Sequence, residues 1–264
     1  MIHGINNDYL YAVSKIDILF SDSKGNKVQS TGTGFWISKE NNVFLITNRH
    51  VVQISYKRPE YSSFTNIVSI SFDMRSYNDE TKDVDISNHT VESCSIDFPS
   101  NEKDDIACIS NIKVKGDVVS FTHIPFSMLA TTKQFFNDLF VCDHVAFVGF
   151  PIVYDHKHIM PILRSGVISS DPRLNYSADG NDNGHCLAYE AFSTEGASGS
   201  PAFATQKGFK VGKGLNAPEG FYRPTLLIGI NAGSYNVSKE HQHMSYMYKS
   251  DQIISLILLA ESKL

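Results

Sequence analysis

The sequence predicts an all-β fold in two halves, closed by a late helix. Three observations predict it. Apolar runs of about five residues recur along most of the chain, separated by polar turn chemistry. That pattern lapses once, between Phe121 and Asp138, which marks a link between two halves. After Asp251 the apolar spacing changes from that of a strand to that of a helix.

In the first half, Tyr9 to Val13 and Lys15 to Phe20 read as strands before a turn at Ser23-Lys24-Gly25-Asn26. Thr33 to Ser38 and Val43 to Thr47 form the next pair, joined around Glu40-Asn41-Asn42, and Asn48 to Val52 leaves the second as a short helical turn. Ile67 to Phe72 alternates as a strand should. Arg75 to His89 is polar and acidic and reads as a surface loop; Asp105 then opens a strand through Ile109. The second half restarts at Val141 to Phe150, where Pro151 ends the run. Leu163 to Ser169, His185 to Ala191, Ser200 to Ala204 and Leu226 to Asn231 follow, and Met247 closes the last strand. Lys207 to Pro224, with four glycines and two prolines, is a long loop. Asp251 is the expected N-cap of a helix whose Ile253, Ile254, Leu256, Ile257, Leu258 and Leu259 pack on the body. The expected division is 1–120, a linker at 121–138, and 139–264.

Composition excludes several classes. At 264 residues with 42% hydrophobic and 19% charged residues, the chain can bury a substantial core and is not a disordered one. A net charge of -5 without a basic run argues against a nucleic-acid partner. No apolar stretch is long enough to span a bilayer, so no membrane partner is expected. The N-terminus lacks the basic and apolar regions of a signal peptide, and a cytoplasmic location is the expectation. Cys94, Cys108, Cys142 and Cys186 show no C-x-x-C spacing and read as reduced thiols in or near the core. Sequons at Asn88, Asn175 and Asn236 are expected by chance.

The stretch Ser193-Thr194-Glu195-Gly196-Ala197-Ser198-Gly199-Ser200-Pro201 carries the chemistry. Glycines two before and one after Ser198 allow a sharp turn that comes close to a ligand. Such a turn can aim the N–H groups of Gly196 and Ser198 at one developing oxyanion, with the Ser198 hydroxyl beside them as nucleophile. A Gly-x-Ser-Gly run is common, so the turn needs support from elsewhere in the chain.

His50 in Thr47-Asn48-Arg49-His50-Val51-Val52, Asp105 before Ile106-Ala107, and Ser198 supply it, in that chain order. The arrangement resembles the chymotrypsin-like serine proteases. Gly32-Thr33-Gly34-Phe35, Leu45-Ile46-Thr47-Asn48, Val148-Gly149-Phe150-Pro151, Arg164 to Ser169 and Leu227 to Asn231 resemble the bacterial trypsin-like branch related to the HtrA proteases. The resemblance spans roughly residues 30 to 260 and implies two six-stranded antiparallel β-barrels followed by a C-terminal α-helix. It implies a serine endopeptidase needing no cofactor and acting on a protein or peptide. His50 would be the general base, Asp105 the carboxylate that orients it, Ser198 the nucleophile, and Gly196 and Ser198 the oxyanion hole. Asp104 is the rival to Asp105, which directly precedes the Ile-Ala-Cys run as the family pattern asks. The wall of the specificity pocket would begin at Phe192, with Glu195 at its mouth, and Asn231-Ala232-Gly233 would pair with an extended substrate. Phe192 as plain core is the competing reading.

Departures from the pattern carry information too. Ala197 stands where secreted members place the aspartate that pairs with a freed N-terminus, and their disulfides have no counterpart here. No C-terminal peptide-binding module of the HtrA kind is expected. A silent peptide-binding platform, or a protease that a partner or oligomer activates by ordering residues 179–196, stands as the alternative. His156/His158 and His241/His243 have strand-face spacing for a metal, but no third ligand of clear spacing accompanies either, so exposed loop histidines are the better account. Cys142 and His144 are read as packed in the core rather than as a dyad.

Overall fold

The computed structural model describes residues 4–116, 121–209, 222–234 and 244–264. Six strands make the first barrel: β1 (Val13–Ser21), β2 (Lys27–Lys39), β3 (Asn42–Thr47), β4 (Asn66–Asn78), β5 (Asp83–Asp97) and β6 (Ala107–Val114). They run in the order β1-β4-β5-β6-β3-β2, and β2 returns to β1 to close the ring. A short β7 (Ile124–Pro125) lies parallel to β2. The second barrel uses β8 (His144–Gly149), β9 (Ile162–Ile168), β10 (Cys186–Glu190), β11 (Pro201–Ala204), β12 (Leu226–Ser234) and β13 (Met244–Lys249). It closes as β10-β13-β12-β11-β8-β9. Every pairing within the two rings is antiparallel. The fold is the all-β double barrel expected.

Alternation explains the cores. Along β1 the side chains of Ile16, Ile18 and Phe20 point inward and are buried with Trp36, Leu45, Ile70 and Phe72. The Trp36 indole N–H donates to Ser14 Oγ at 2.9 Å, so that large side chain is buried without an orphaned donor. Phe147, Leu187, Tyr189, Ile228 and Met247 fill the second barrel. A third cluster lies between the barrels. Phe35, Ile37, Phe44 and Ile106 from the first meet Val148, Phe203, Leu227 and Ile230 from the second. The C-terminal helix (Ser250–Glu261) adds Ile253, Leu256 and Ile257 to the same cluster, whereas Leu258 and Leu259, expected to pack with them, are exposed. Each buried side chain of this size contributes about 1.5–3 kcal/mol, so the helix is a substantial fastener of the seam.

Three expectations give way. Tyr9 to Val13 is not one strand: Asp8–Tyr11 forms a single helical turn, α1, before β1. The Asp8 amide donates to Asn6 Oδ1 at 3.1 Å, a local turn bond that competes with extended structure. Arg75 to His89 is not a loop but the hairpin of β4 and β5, with Asn78 opposite Asp83. Much of β5 is exposed, so cross-strand pairing rather than apolar alternation sustains the ribbon, and its sequence stays polar. Asp251 is not the N-cap of the last helix. The cap is Lys249 and the helix starts at Ser250, because β13 runs into it without a loop. Asp251 sits in the first turn, where its charge suits the positive end of the helix, and accepts a bond from Thr132 Oγ1 at 3.0 Å.

Candidate active site

His50 sits on a single helical turn, α2 (Arg49–Val52), that follows β3 directly. Val51 and Val52 are buried and anchor that turn on the barrel, while the His50 side chain remains 24% exposed. Asp105 comes from the loop before β6 and is fully buried. The Asn48 side-chain amide donates to the Asp105 carbonyl at 2.6 Å and so ties the two loops together. The carboxylate grips His50 twice: the His50 backbone N–H donates to Oδ1 at 2.9 Å, and Nδ1 lies 2.6 Å from Oδ2. Lys57 Nζ lies 2.6 Å from the same Oδ2. Burial alone would push the Asp105 carboxyl up, but the neighbouring His50 and Lys57 outweigh it and hold it down at about 2. An ionised carboxylate only accepts, which assigns the proton to Nδ1 and leaves the Nε2 lone pair available.

Glycine makes the turn at Ser198 possible. Gly196 and Gly199 have φ of +88° and +90°. A Cβ on Gly196 would come within 2.3 Å of the Phe150 carbonyl oxygen, and one on Gly199 within 1.9 Å of the Thr33 carbonyl oxygen. Around the turn, Ala197 N–H donates to Thr194 O at 3.1 Å and Gly199 N–H to Asn231 O at 2.9 Å. The alternate amides, those of Gly196 and Ser198, have no acceptor among the described residues. Free paired donors are what an oxyanion requires.

Two residues hold that turn from outside. Thr33 on β2 donates its N–H to Ser198 O at 2.8 Å and its hydroxyl to Gly196 O at 2.8 Å. The same hydroxyl accepts Phe150 N–H at 3.0 Å. Asn231 donates to Ala197 O at 2.7 Å and Ser193 Oγ at 3.1 Å, and accepts from the Tyr189 hydroxyl at 2.6 Å. Sequence reasoning missed Thr33 as a site residue, although it lies inside a quoted motif; threonine between glycines carries no signal of a bond to a turn so distant in the chain.

His50, Gly196 and Ser198 line one cleft of about 500 Å³, together with Glu195. Ile54, Phe150, Ile152 and Tyr154 give it an apolar wall; Lys15, Lys57 and Arg58 add cationic groups. No hydrogen bond joins Ser198 Oγ to His50, a contact that commonly tightens only with substrate.

The expected specificity residues part company. Phe192 is 42% exposed, and its ring lies under the Arg164 guanidinium at 4.9 Å. It lines a depression with Ser165, Glu190 and Ala191, and is not plain core. Asn231 cannot pair with a substrate strand, since its own N–H donates to Ser200 O at 2.8 Å and its O accepts from Gly199. It is fully buried inside the second barrel. Ala232 is packed into the seam, and Gly233 pairs with Tyr246 of β13.

Asp104, the rival carboxylate, holds a different histidine. His185 donates its backbone N–H to Asp104 Oδ1 at 2.7 Å and places Nδ1 2.8 Å from Oδ2. His156 lines the cleft, with Nε2 2.9 Å from the Ile152 carbonyl; His158 Nδ1 lies 2.8 Å from Asp155 Oδ2. The pair thus lies in a loop, with separate partners, rather than along a strand. His241 and His243 lie outside the described residues. Cys142 and His144, expected in the core, are exposed at the start of β8. All four cysteines are free thiols.

The family model for a trypsin-like peptidase domain matches residues 32–212. Among solved structures, the HtrA-type protease AlgW with a decapeptide superposes with a TM-score of 0.56 at 15% identity, covering 96% of this chain and 66% of that one. This chain therefore spans just under two thirds of the AlgW chain. Deg5 superposes with a TM-score of 0.50 at 16% identity, covering 94% and 88%. At such identity the likeness is one of fold. No curated protein matches the sequence. The family model covers well over half of the chain, and with the double barrel it shows that the protein belongs to the trypsin-like peptidase family.

Proposed function

We propose that the protein is a serine endopeptidase. The observation that carries this reading is the cleft shared by His50, held through two bonds by a buried ionised Asp105, and the Ser198 turn with its two unpaired amides. In the reaction, Ser198 Oγ attacks the substrate carbonyl while His50 Nε2 takes the hydroxyl proton. The oxyanion forms facing the Gly196 and Ser198 amides. Collapse of the tetrahedral species breaks the C–N bond, and His50 returns the proton to the leaving amine. Water, deprotonated by His50, then hydrolyses the acyl-enzyme and restores Ser198. An extended peptide suits the open cleft, and the AlgW structure holds a decapeptide.

The missing Ser198–His50 bond favours a second reading, in which a partner or oligomer completes the site. A fluorophosphonate probe separates the two. The endopeptidase reading expects labelling of the isolated protein, lost in Ser198→Ala. A folded protein that labels only with a partner present supports conditional activation; one that never labels overturns the catalytic reading.

A further inference from the structure

Asp105 accepts from one more group than the proposed reaction needs. Lys57 Nζ and His50 Nδ1 lie at the same distance, 2.6 Å, from one oxygen, Oδ2. The lysine is held there on its other side: it donates to the Tyr246 hydroxyl at 3.2 Å, and its ammonium lies 5.5 Å from the Tyr246 ring centroid and 6.0 Å from that of Tyr248. Lys57 also separates two spaces. It lines the cleft of Ser198 and, behind it, a second cavity of about 580 Å³ walled by Tyr56, Cys186, Tyr246 and Tyr248. A solvated surface ion pair would be a weak partner. This one has its carboxylate fully buried, where charges are felt strongly.

We propose that Lys57 is a positioning residue for the His50–Asp105 pair: its ammonium shares Oδ2 with the imidazole, fixes the carboxylate and sets the pH at which His50 takes up a proton. The proposal rests on the endopeptidase reading for its catalytic meaning, but not for its measurement. Protonating His50 places a second cation on an oxygen whose charge Lys57 already balances. The two nitrogens, each bonded to one oxygen, lie within about 5 Å of each other, where unit charges at an effective dielectric of about 20 interact by a little over two pH units' worth of energy. Lys57 therefore favours the neutral imidazole, the form that can accept a proton from Ser198.

Other charges around the pair are arranged differently. Asp104, next along the loop, is engaged by His185. Burial pushes the Tyr56 phenol up, to about 12, and raises the Tyr248 phenol as well. On the cleft side Lys15 is paired with Asp17, while Arg58, Glu195 and His156 line the opening. Lys57 is the cation in contact with the carboxylate that His50 uses.

The test is the His50 Cε1–H resonance followed by NMR against pH, in a Ser198→Ala background and assigned by its loss in His50→Gln. Lys57→Met should raise the titration midpoint of His50 by about two pH units, and Lys57→Arg should leave it within a few tenths. A Lys57→Met midpoint unchanged in a protein that keeps its other dispersed resonances would overturn the proposal. So would an equal rise in Lys57→Arg, since that would point to packing rather than charge. If Lys57→Met unfolds, Lys57→Gln is read the same way. Labelling with the fluorophosphonate judges the endopeptidase reading separately: its failure with a shifted midpoint would sink the enzyme and leave the charge balance standing.

Discussion

Asp104 and Asp105 are neighbours in the chain, equally buried, and each grips a histidine by its backbone N–H and its Nδ1. The two grips are almost the same local motif, yet they face different ends. Asp105 holds His50, within the first barrel, in a cleft with Ser198. Asp104 holds His185, at the entrance of β10, and so crosses to the second barrel. A buried carboxylate–histidine pair is thus not by itself a catalytic signature. What distinguishes the pairs is the company of the imidazole: a serine turn with free amides in one case, a seam between barrels in the other.

The largest expected effect comes from breaking each pair in turn. Asp105→Asn should lower the rate of fluorophosphonate labelling by about 1,000- to 10,000-fold, since the amide favours the wrong imidazole tautomer. Asp104→Asn should change it by less than about tenfold, because its histidine touches no reacting atom. Comparable losses in both would erase the distinction drawn here.

Next comes Thr33→Val, which removes the hydroxyl bridging Gly196 O and Phe150 N–H. Leaving these buried groups unpaired should cost about 1–3 kcal/mol each, read as a lower denaturation midpoint, and labelling should slow as the turn loosens. Normal labelling in a destabilised Thr33→Val would show that the glycines alone shape the turn.

The smallest effect sharpens the comparison through pH. The hydrogen bond to Asp104 raises the His185 ring above its ordinary value, against the opposing effect of burial. Its contribution to stability is therefore full below about pH 6.5 and is lost as pH rises through the folded value. The Tm difference between wild type and His185→Gln should shrink from about pH 5 to about pH 9. Asp105 has the opposite sign: lowered to about 2, its contribution is present above about pH 4 and fades as pH falls toward 2. A His185→Gln difference that grows with pH would contradict the assignment.

Most of the barrel strands were legible because their apolar residues alternate or run together against a core, as in Ile67 to Phe72 and, within Val141 to Phe150, His144–Gly149. The β4–β5 hairpin was not, since its stability comes from pairing across the ribbon, which a single strand's sequence does not display. The residues brought to the cleft follow the same division. His50, Ser198 and Gly196 lie in local patterns with chemical meaning. Lys57, Thr33 and His185 act through contacts set by how the chain closes, and a lysine seven residues after a histidine carries no such pattern. Phe192 and Asn231 show the converse: residues at suggestive positions whose side chains the fold uses elsewhere.

The bonds from Thr33 to the Ser198 turn have a consequence for the life of the chain. The strand that supports the turn is made early in synthesis, and the turn late. A nascent or half-folded molecule holds one without the other, so the Ser198 turn is fully held only when the halves have docked. On the endopeptidase reading proposed above, cleavage waits for that docking.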